Sequence, residues 1–409
     1  MKLSQRFLDS KWSPFCAAAV LLAGLAFLLL RAVTDPRDEV DFRFFWLAGT
    51  LWGEGIDPYS ESFRQIGAQI LPPGNVVLHW FYPPQWWIVC RGLALMGLEQ
   101  SVMVWRLLSG GIILLGTALL IACVTSGDWR RRLMLMGLGG GLALVLEPTA
   151  NLLALGQSSS FVYLSLVLIV VGVMRGQPWL VGMAVFLATF KPQLGALILL
   201  WALMVPSFRV AALAGLGSAG LFTLPHVLQF GPLTTVRAYF ANLSDWGNLA
   251  ANTPLTFSGP VNLLARLGVT GAQMSHQLLI AALFVLYAGF LLRKRPDRPA
   301  GPLFLLTAAV AALAPLHIYD LTILLIPIIL YVGLGNGPLW VAPLVTILMF
   351  RPGQVEILLR IPQYASGVSE GLIGLDLAGL LLLAFAMREV VQGSAPTVSG
   401  AAGDEAFAE

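Results

Sequence analysis

A handful of polar side chains in an otherwise apolar sequence are of the right type to do chemistry. Asp41 opens the stretch DFRFFWLAGTLWGEGIDPY, which ends at Tyr59. Apolar residues at 42, 44 to 48, 51 and 52 predict an aromatic-rich helix behind that carboxylate, stopped by Gly53 and Gly55 and turned by Asp57-Pro58-Tyr59. A carboxylate at such a position can act as a general base, or it can simply cap the helix. Gln157 in LGQSSS, Lys191 in FKPQ, and His317 with Asp320 in PLHIYD interrupt apolar runs further along. A charge placed there is costly, about 2.5 to 3.5 kcal/mol at a helix centre and less near the ends. Each position also has a plainer role open to it. Gln157 can cap the next helix, Lys191 can snorkel to the interface, and His317 with Asp320, three residues apart, can tie a helix junction.

A base, a cation and an aromatic membrane interface together suit transfer of a group carried on a lipid phosphate. Such a donor brings its own leaving group. One carboxylate is then needed to deprotonate the acceptor hydroxyl, and one cation to hold the departing phosphate. A single displacement of this kind inverts the anomeric centre of a transferred sugar. The sequence holds no Gly-rich phosphate loop and no dinucleotide-binding unit. Cys16, Cys90 and Cys123 fall in unrelated apolar stretches, no cluster has zinc spacing, and Asp38, Glu39 and Asp41 are too thin a group to argue for a divalent ion. No cofactor and no metal are therefore expected.

The elements that must position these groups follow from composition. Of 409 residues 57% are hydrophobic and 11% charged, against roughly 25% charged in a soluble domain. This excludes an ordinary soluble protein, and the small dispersed net charge of +3 gives no support to nucleic-acid binding. Lys2, Arg6 and Lys11 precede an apolar run from Pro14 to Leu30, with no small-x-small site before Asp35, which reads as an uncleaved signal anchor with a cytoplasmic N-terminus. Residues 34 to 101 read as a long outer loop with two interfacial helices: the Asp41 segment, and Gln85 to Leu98, too short to span. Between them lies a linker reaching Gly74. Met103 to Val124 is long enough to cross. Further apolar segments at about 133–147, 158–174, 178–190, 193–206, 210–224, 276–292, 302–316, 321–334, 338–350 and 369–387 bring the expected crossings to about twelve.

Twelve crossings from a cytoplasmic start put Arg130 to Arg132, Arg175, Arg209, the Arg293 to Arg298 loop and Arg388 inside, as the positive-inside rule asks. The same parity brings Asp41, Gln157, Lys191, His317 and Asp320 to the outer face. Residues 225 to 275 read as a loop, 1–390 as one transmembrane domain, and 391–409 as a disordered cytoplasmic tail. No internal repeat is evident, which weakens a transporter or flippase reading, the main alternative from another class.

The ordered set D-F-R-F-F-W-x-A-G, G-I-D-P-Y, F-Y-P-P, G-Q, K-P-Q and H-I-Y-D-L resembles glycosyltransferase family 87, across roughly residues 15 to 390. The resemblance implies an all-α, multi-spanning GT-C fold. It implies an inverting hexosyltransferase, of mannose in actinobacterial members, drawing sugar from a polyprenyl-phosphate donor. The acceptor would be a lipid-linked or cell-envelope glycan at the outer face of the cytoplasmic membrane. Carried over residue by residue, it makes Asp41 the general base and Lys191 the ligand of the donor phosphate. Arg43, Asp57, Tyr59, Tyr82, Gln157, His317, Tyr319 and Asp320 are then expected to line the substrate. Asn252, Thr253 and Ser258 stand near the family's Asn and Ser pattern without a clean alignment.

Overall fold

The computed structural model describes residues 12–34, 40–70, 79–125, 129–247, 252–269, 271, 273–335, 337–338, 340–352 and 372–392. Lys2, Arg6, Lys11, Asp38, Glu39, Gly74 and the tail from 393 lie outside the described residues. Every regular element among those described is a helix. In chain order these are α1 (Ser13–Thr34), α2 (Val40–Gly53), α3 (Glu61–Ile70), a 3-10 turn (Pro84–Trp86) running into α4 (Trp87–Leu93), and α5 (Leu98–Val124). Then come α6 (Trp129–Val145), α7 (Glu147–Leu155), α8 (Ser159–Met174), α9 (Pro178–Ala188), α10 (Pro192–Met204) and α11 (Arg209–Phe230). The remainder are α12 (Pro232–Gly247), α13 (Pro260–Arg266), α14 (Met274–Lys294), α15 (Ala300–Leu313), a 3-10 stretch (Ile318–Leu324) continuing into α16 (Leu325–Leu334), α17 (Val341–Phe350) and α18 (Leu372–Gln392).

Among the described residues four stretches are long and apolar enough to cross a membrane: Ser13–Val33, Leu98–Val124, Pro206–Phe230 and Met274–Lys294. The pair α6 and α7, bent by 57°, makes a fifth if it is one broken span, and several shorter apolar helices pack among them. Leu22, Leu213, Leu221, Leu279 and Leu283 stand outward on these long helices, more than half exposed, a surface that water would not tolerate but lipid does. This is a polytopic membrane protein.

The buried apolar side chains form two cores. The larger runs through α5 to α11 and α14 to α18, and includes Tyr163, Trp201 and Phe304. The smaller is aromatic and centres on α2, with Phe42, Phe45, Trp80, Trp86 and Trp105 almost wholly buried. Phe45 alone packs against the rings of Trp80, Tyr82, Trp86 and Trp105, at centroid distances from 4.5 to 5.9 Å. The α2 helix therefore does not lie with one wet face, as its aromatic density suggests, but is enclosed by α4 and α5. Gly49 makes this possible: a Cβ there would stand 2.0 Å from the Cys90 carbonyl oxygen.

Local chemistry explains where the helices depart from the apolar pattern. The stretch from Gln85 to Leu98 is not one helix, because the chain leaves α4 at Ala94 and Gly97 is extended (φ −60°, ψ 155°). The Ser101 hydroxyl closes that turn onto the Leu93 carbonyl at 2.6 Å. Residues 225 to 275 are not a plain loop either. α11 continues through Pro225 to Phe230, Gly231 turns the chain at φ 89°, and Pro232 starts α12. Asn242 of α12 donates to the carbonyls of Tyr59 and Trp80, at 3.3 and 2.9 Å, and so pins that helix onto the aromatic core. The expected linker before Gly74 contains α3, and helix α18 carries on through the first two residues of the expected tail.

Candidate active site

The site is assembled at breaks between helices, where backbone and side chains turn inward together. The first break follows α7. Gly156 ends that helix in the left-handed region (φ 68°), and a Cβ on it would come within 2.5 Å of the Phe42 Cβ on α2. The indole of Trp105 donates to the Gly156 carbonyl at 2.8 Å. Arg106, buried within α5, donates to the carbonyls of Leu153 and Ala154 at 2.9 and 3.3 Å, satisfying the last turn of α7 and opposing its dipole. A third bond from Arg106 reaches the Arg31 carbonyl in α1 at 3.2 Å. With its backbone so fixed, the buried Gln157 turns its amide to Asp41, Nε2 donating to Oδ2 at 2.5 Å.

The second break lies between α9 and α10. Pro192 cannot continue a helix from α9 and instead opens the next one, so Lys191 is left at the junction. Its side chain does not snorkel. It is only 7% exposed, and its Nζ forms an ion pair with Asp320 and a 3.0 Å hydrogen bond to the Ser159 hydroxyl. Ser159, in the first turn of α8, donates in its turn to Asp320. The Tyr319 ring lies with its centroid 4.9 Å from the same ammonium, within cation–π range.

The third break precedes the 3-10 stretch. Asp320 Oδ2 accepts the His317 backbone N–H at 3.2 Å, so this carboxylate caps the turn while its other oxygen holds Lys191 and Ser159. The junction role open to Asp320 is thus real and compatible with a second one. The His317 ring does not reach Asp320. It shares a 3.2 Å hydrogen bond with the Thr256 carbonyl and packs on Phe257 at 4.2 Å and Tyr319 at 5.2 Å. The turn holding Asn252, Thr253 and Ser258 is thereby laid beside the cluster, with the Ser258 N–H donating to the Leu316 carbonyl at 2.7 Å.

Electrostatics separates the two carboxylates. Burial raises Asp41 above its ordinary value of 3.8. The Gln157 bond and the charge of Lys191 pull it back, while Asp320 pushes it up again. Asp41 is therefore a stronger base than a solvated aspartate and faces a neutral amide, whereas Asp320 is neutralised by direct contact with a cation. Burial also drives Tyr82 well above 10, with the charges of Asp41 and Asp320 adding to the rise, so its phenol is a neutral group at the edge of the same centre. Burial lowers His317 to about 4, which leaves it uncharged at neutral pH.

Asp41, Tyr82, Gln157, Lys191, His317, Tyr319 and Asp320 thus come together from across the sequence. Two other expected residues, Asp57 and Tyr59, stand outside the cluster. Asp57 accepts the Tyr59 N–H at 2.9 Å and lies 3.9 Å from His226, at the far end of α2. Tyr59 donates its hydroxyl to the Tyr82 carbonyl at 2.5 Å and so supports the site from behind. Arg43 is buried on α2, about 200° around the helix from Asp41. Ser159 and Arg106 are the members sequence reasoning missed. Ser159 stood beside Gln157 in the same polar run, and Arg106 was a charge inside a long apolar span. Among the described residues, no group of three His, Cys, Asp or Glu side chains could hold a metal ion.

The family model of glycosyltransferase family 87 matches residues 80–317, more than half of the sequence. The chain belongs to glycosyltransferase family 87. No curated protein matches it. As a family 87 member it is a membrane glycosyltransferase. The matched stretch takes in Tyr82, Gln157, Lys191 and His317. Asp41, Arg43, Asp57 and Tyr59 precede it, and Tyr319 and Asp320 follow. Gln157 and Lys191 thus lie within the matched stretch, and Asp41, outside it, is joined to it by the Gln157 hydrogen bond.

Proposed function

We propose that this family 87 glycosyltransferase moves a hexosyl group, mannosyl by the family resemblance, from a polyprenyl-phosphate donor to a lipid-linked or cell-envelope glycan. It does so with inversion at the outer face of the cytoplasmic membrane, as a single GT-C-like domain of about twelve crossings. Asp41 takes the proton of the acceptor hydroxyl. That oxygen forms its bond to the anomeric carbon while the bond from carbon to the phosphate oxygen breaks. Both electrons of the broken bond leave with the phosphate, next to Lys191. The observation that carries this reading is the placing of Asp41: a half-buried carboxylate of raised basicity, bonded to a neutral amide, close enough to Lys191 to feel its charge.

Tyr82, Gln157, His317 and Tyr319 supply hydroxyl, amide and ring surfaces suited to sugar. Asp320 and Ser159 fix the ammonium. Incubating purified protein with radiolabelled polyprenyl-phosphate-mannose and a lipid extract tests the reaction: label should move to a new lipid or glycan product. Label that stays on the donor, with polyprenyl-phosphate-glucose equally inert, refutes it. Reporter fusions at Gly127 and Pro296 test the sidedness, since both should report cytoplasm. An outside signal at either breaks the parity that puts Asp41 on the outer face.

A further inference from the structure

A second polar cavity lies at the opposite end of α2 from Asp41. It is an open pocket of about 320 Å³ lined by Trp52, Trp87, Arg91, Pro225, His226 and Gln229. It joins three elements, the C-terminal turn of α2, the middle of α4 and the last turns of α11. Trp52 stands eleven residues beyond Asp41 on α2, about 16 Å along the axis. Phe45, Trp80 and Trp86, all fully buried, fill the space between. The pocket is thus walled off from the centre described above.

Its polar inventory is one-sided. Both indole N–H groups are spent inside the protein, Trp52 on His226 Nδ1 at 2.8 Å and Trp87 on the Phe222 carbonyl at 2.7 Å, so the two rings offer apolar surface only. The Arg91 guanidinium, lying over Gly53, uses one donor on the Gly49 carbonyl at 3.2 Å. Its remaining donors have no protein partner among the described residues. Gln229 is exposed, and its amide likewise makes no hydrogen bond there. Among the described residues no carboxylate lines the pocket, and Asp57, 3.9 Å from His226 Nε2, is not part of its lining. A cation with free donors beside an amide is a receptor for an oxyanion, phosphate above all.

The surroundings say what carries the phosphate. The pocket opens at the end of α11, one of the long apolar spans, whose Leu221, Leu224 and Leu228 are exposed, together with Ile88 of α4. These side chains form an apolar flank directly against a polar pocket, with Trp87 at the boundary, where membrane-interface indoles sit. We propose that the pocket binds one phospholipid. Its phosphate is held by Arg91 and Gln229, its acyl chains lie along the leucines of α11, and the bound lipid bridges α4 to α11. The packed aromatic wall sets this lipid apart from any polyprenyl phosphate used at Asp41.

Detergent-purified protein mixed with phosphatidylglycerol and analysed by native mass spectrometry tests this. Arg91→Gln and Gln229→Leu are compared with Arg64→Gln, an exposed arginine of α3 whose bond to Glu61 is a surface contact of 3.5 Å. One lipid should be retained by the wild type and by Arg64→Gln, with binding about tenfold weaker in Arg91→Gln and weakened also in Gln229→Leu. Circular dichroism and gel filtration establish that each variant is folded, and Gln229→Leu, at an exposed site, keeps the test alive if Arg91→Gln is not. Equal retention in all four proteins would overturn the assignment. Displacement of the lipid by polyprenyl phosphate would return the pocket to the donor, and displacement by inorganic phosphate alone would remove the lipid from the account.

Discussion

Lys191 and Asp320 stand 129 residues apart and meet as a buried ion pair, each side chain no more than 7% exposed. Removing one member of such a pair leaves the other charged and unpartnered, at a cost of about 3–5 kcal/mol, whereas replacing both with apolar groups is often neutral. Lys191→Ala should therefore lower both transfer and thermal stability. The double variant Lys191→Met/Asp320→Asn, whose amide oxygen can still accept the His317 N–H, should recover much of the stability and not the transfer. Thermal unfolding in detergent alongside donor turnover separates the two effects. A double variant that transfers sugar normally would reduce the pair to a structural tie.

The Gln157 amide holds Asp41 as a carboxylate, and its bond is one of the influences that keep the raised pKa from rising further. In the proposed mechanism transfer requires ionised Asp41, so the rate should fall as pH drops through that raised pKa. Gln157→Leu removes a bond that favours the charged form, and the acid limb of the pH–rate profile should move to higher pH. Reading kcat/KM against pH for both proteins checks this. An unmoved limb would separate Gln157 from the titrating group.

The same shift has a stability consequence. Asp41 has a folded-state pKa above its ordinary value of 3.8, so folding disfavours its ionised form. Above its folded-state pKa the group is ionised in both states and the folded protein bears the cost. As pH falls through the folded pKa towards the unfolded one, the cost disappears. Asp41→Asn should therefore be at least as stable as wild type at pH 7, with the difference shrinking towards pH 4. Melting temperatures across that range measure it. A variant less stable than wild type at pH 7 would mean that the carboxylate stabilises the fold.

The helices were largely legible because apolar length and proline position decide them. Pro178 and Pro192 open helices close to where the apolar segments begin, and Lys191 falls at the junction its proline enforces. The ends written by backbone geometry were harder to read. Gly97 and Gly231 break the chain through φ and ψ values that composition does not reveal, and α11 runs straight through Pro225. The cluster was legible as a set of costly charges in apolar runs. Its internal pairing was not, since Ser159 and Arg106 act through partners distant in sequence. Asp57 shares the segment of Asp41 and still lies away from it, because the length of α2 carries it off to His226.

Asp41→Asn decides whether Asp41 is the base. Asn keeps the shape, and its oxygen can still accept from Gln157. Asn also caps a helix about as well as Asp. A general base contributes typically about 10² to 10⁴ in rate, so turnover of polyprenyl-phosphate-mannose by the folded variant should fall by about that factor, with donor binding retained. Near-normal turnover by Asp41→Asn would mean that Asp41 is not the base and leave the carboxylate as a helix cap.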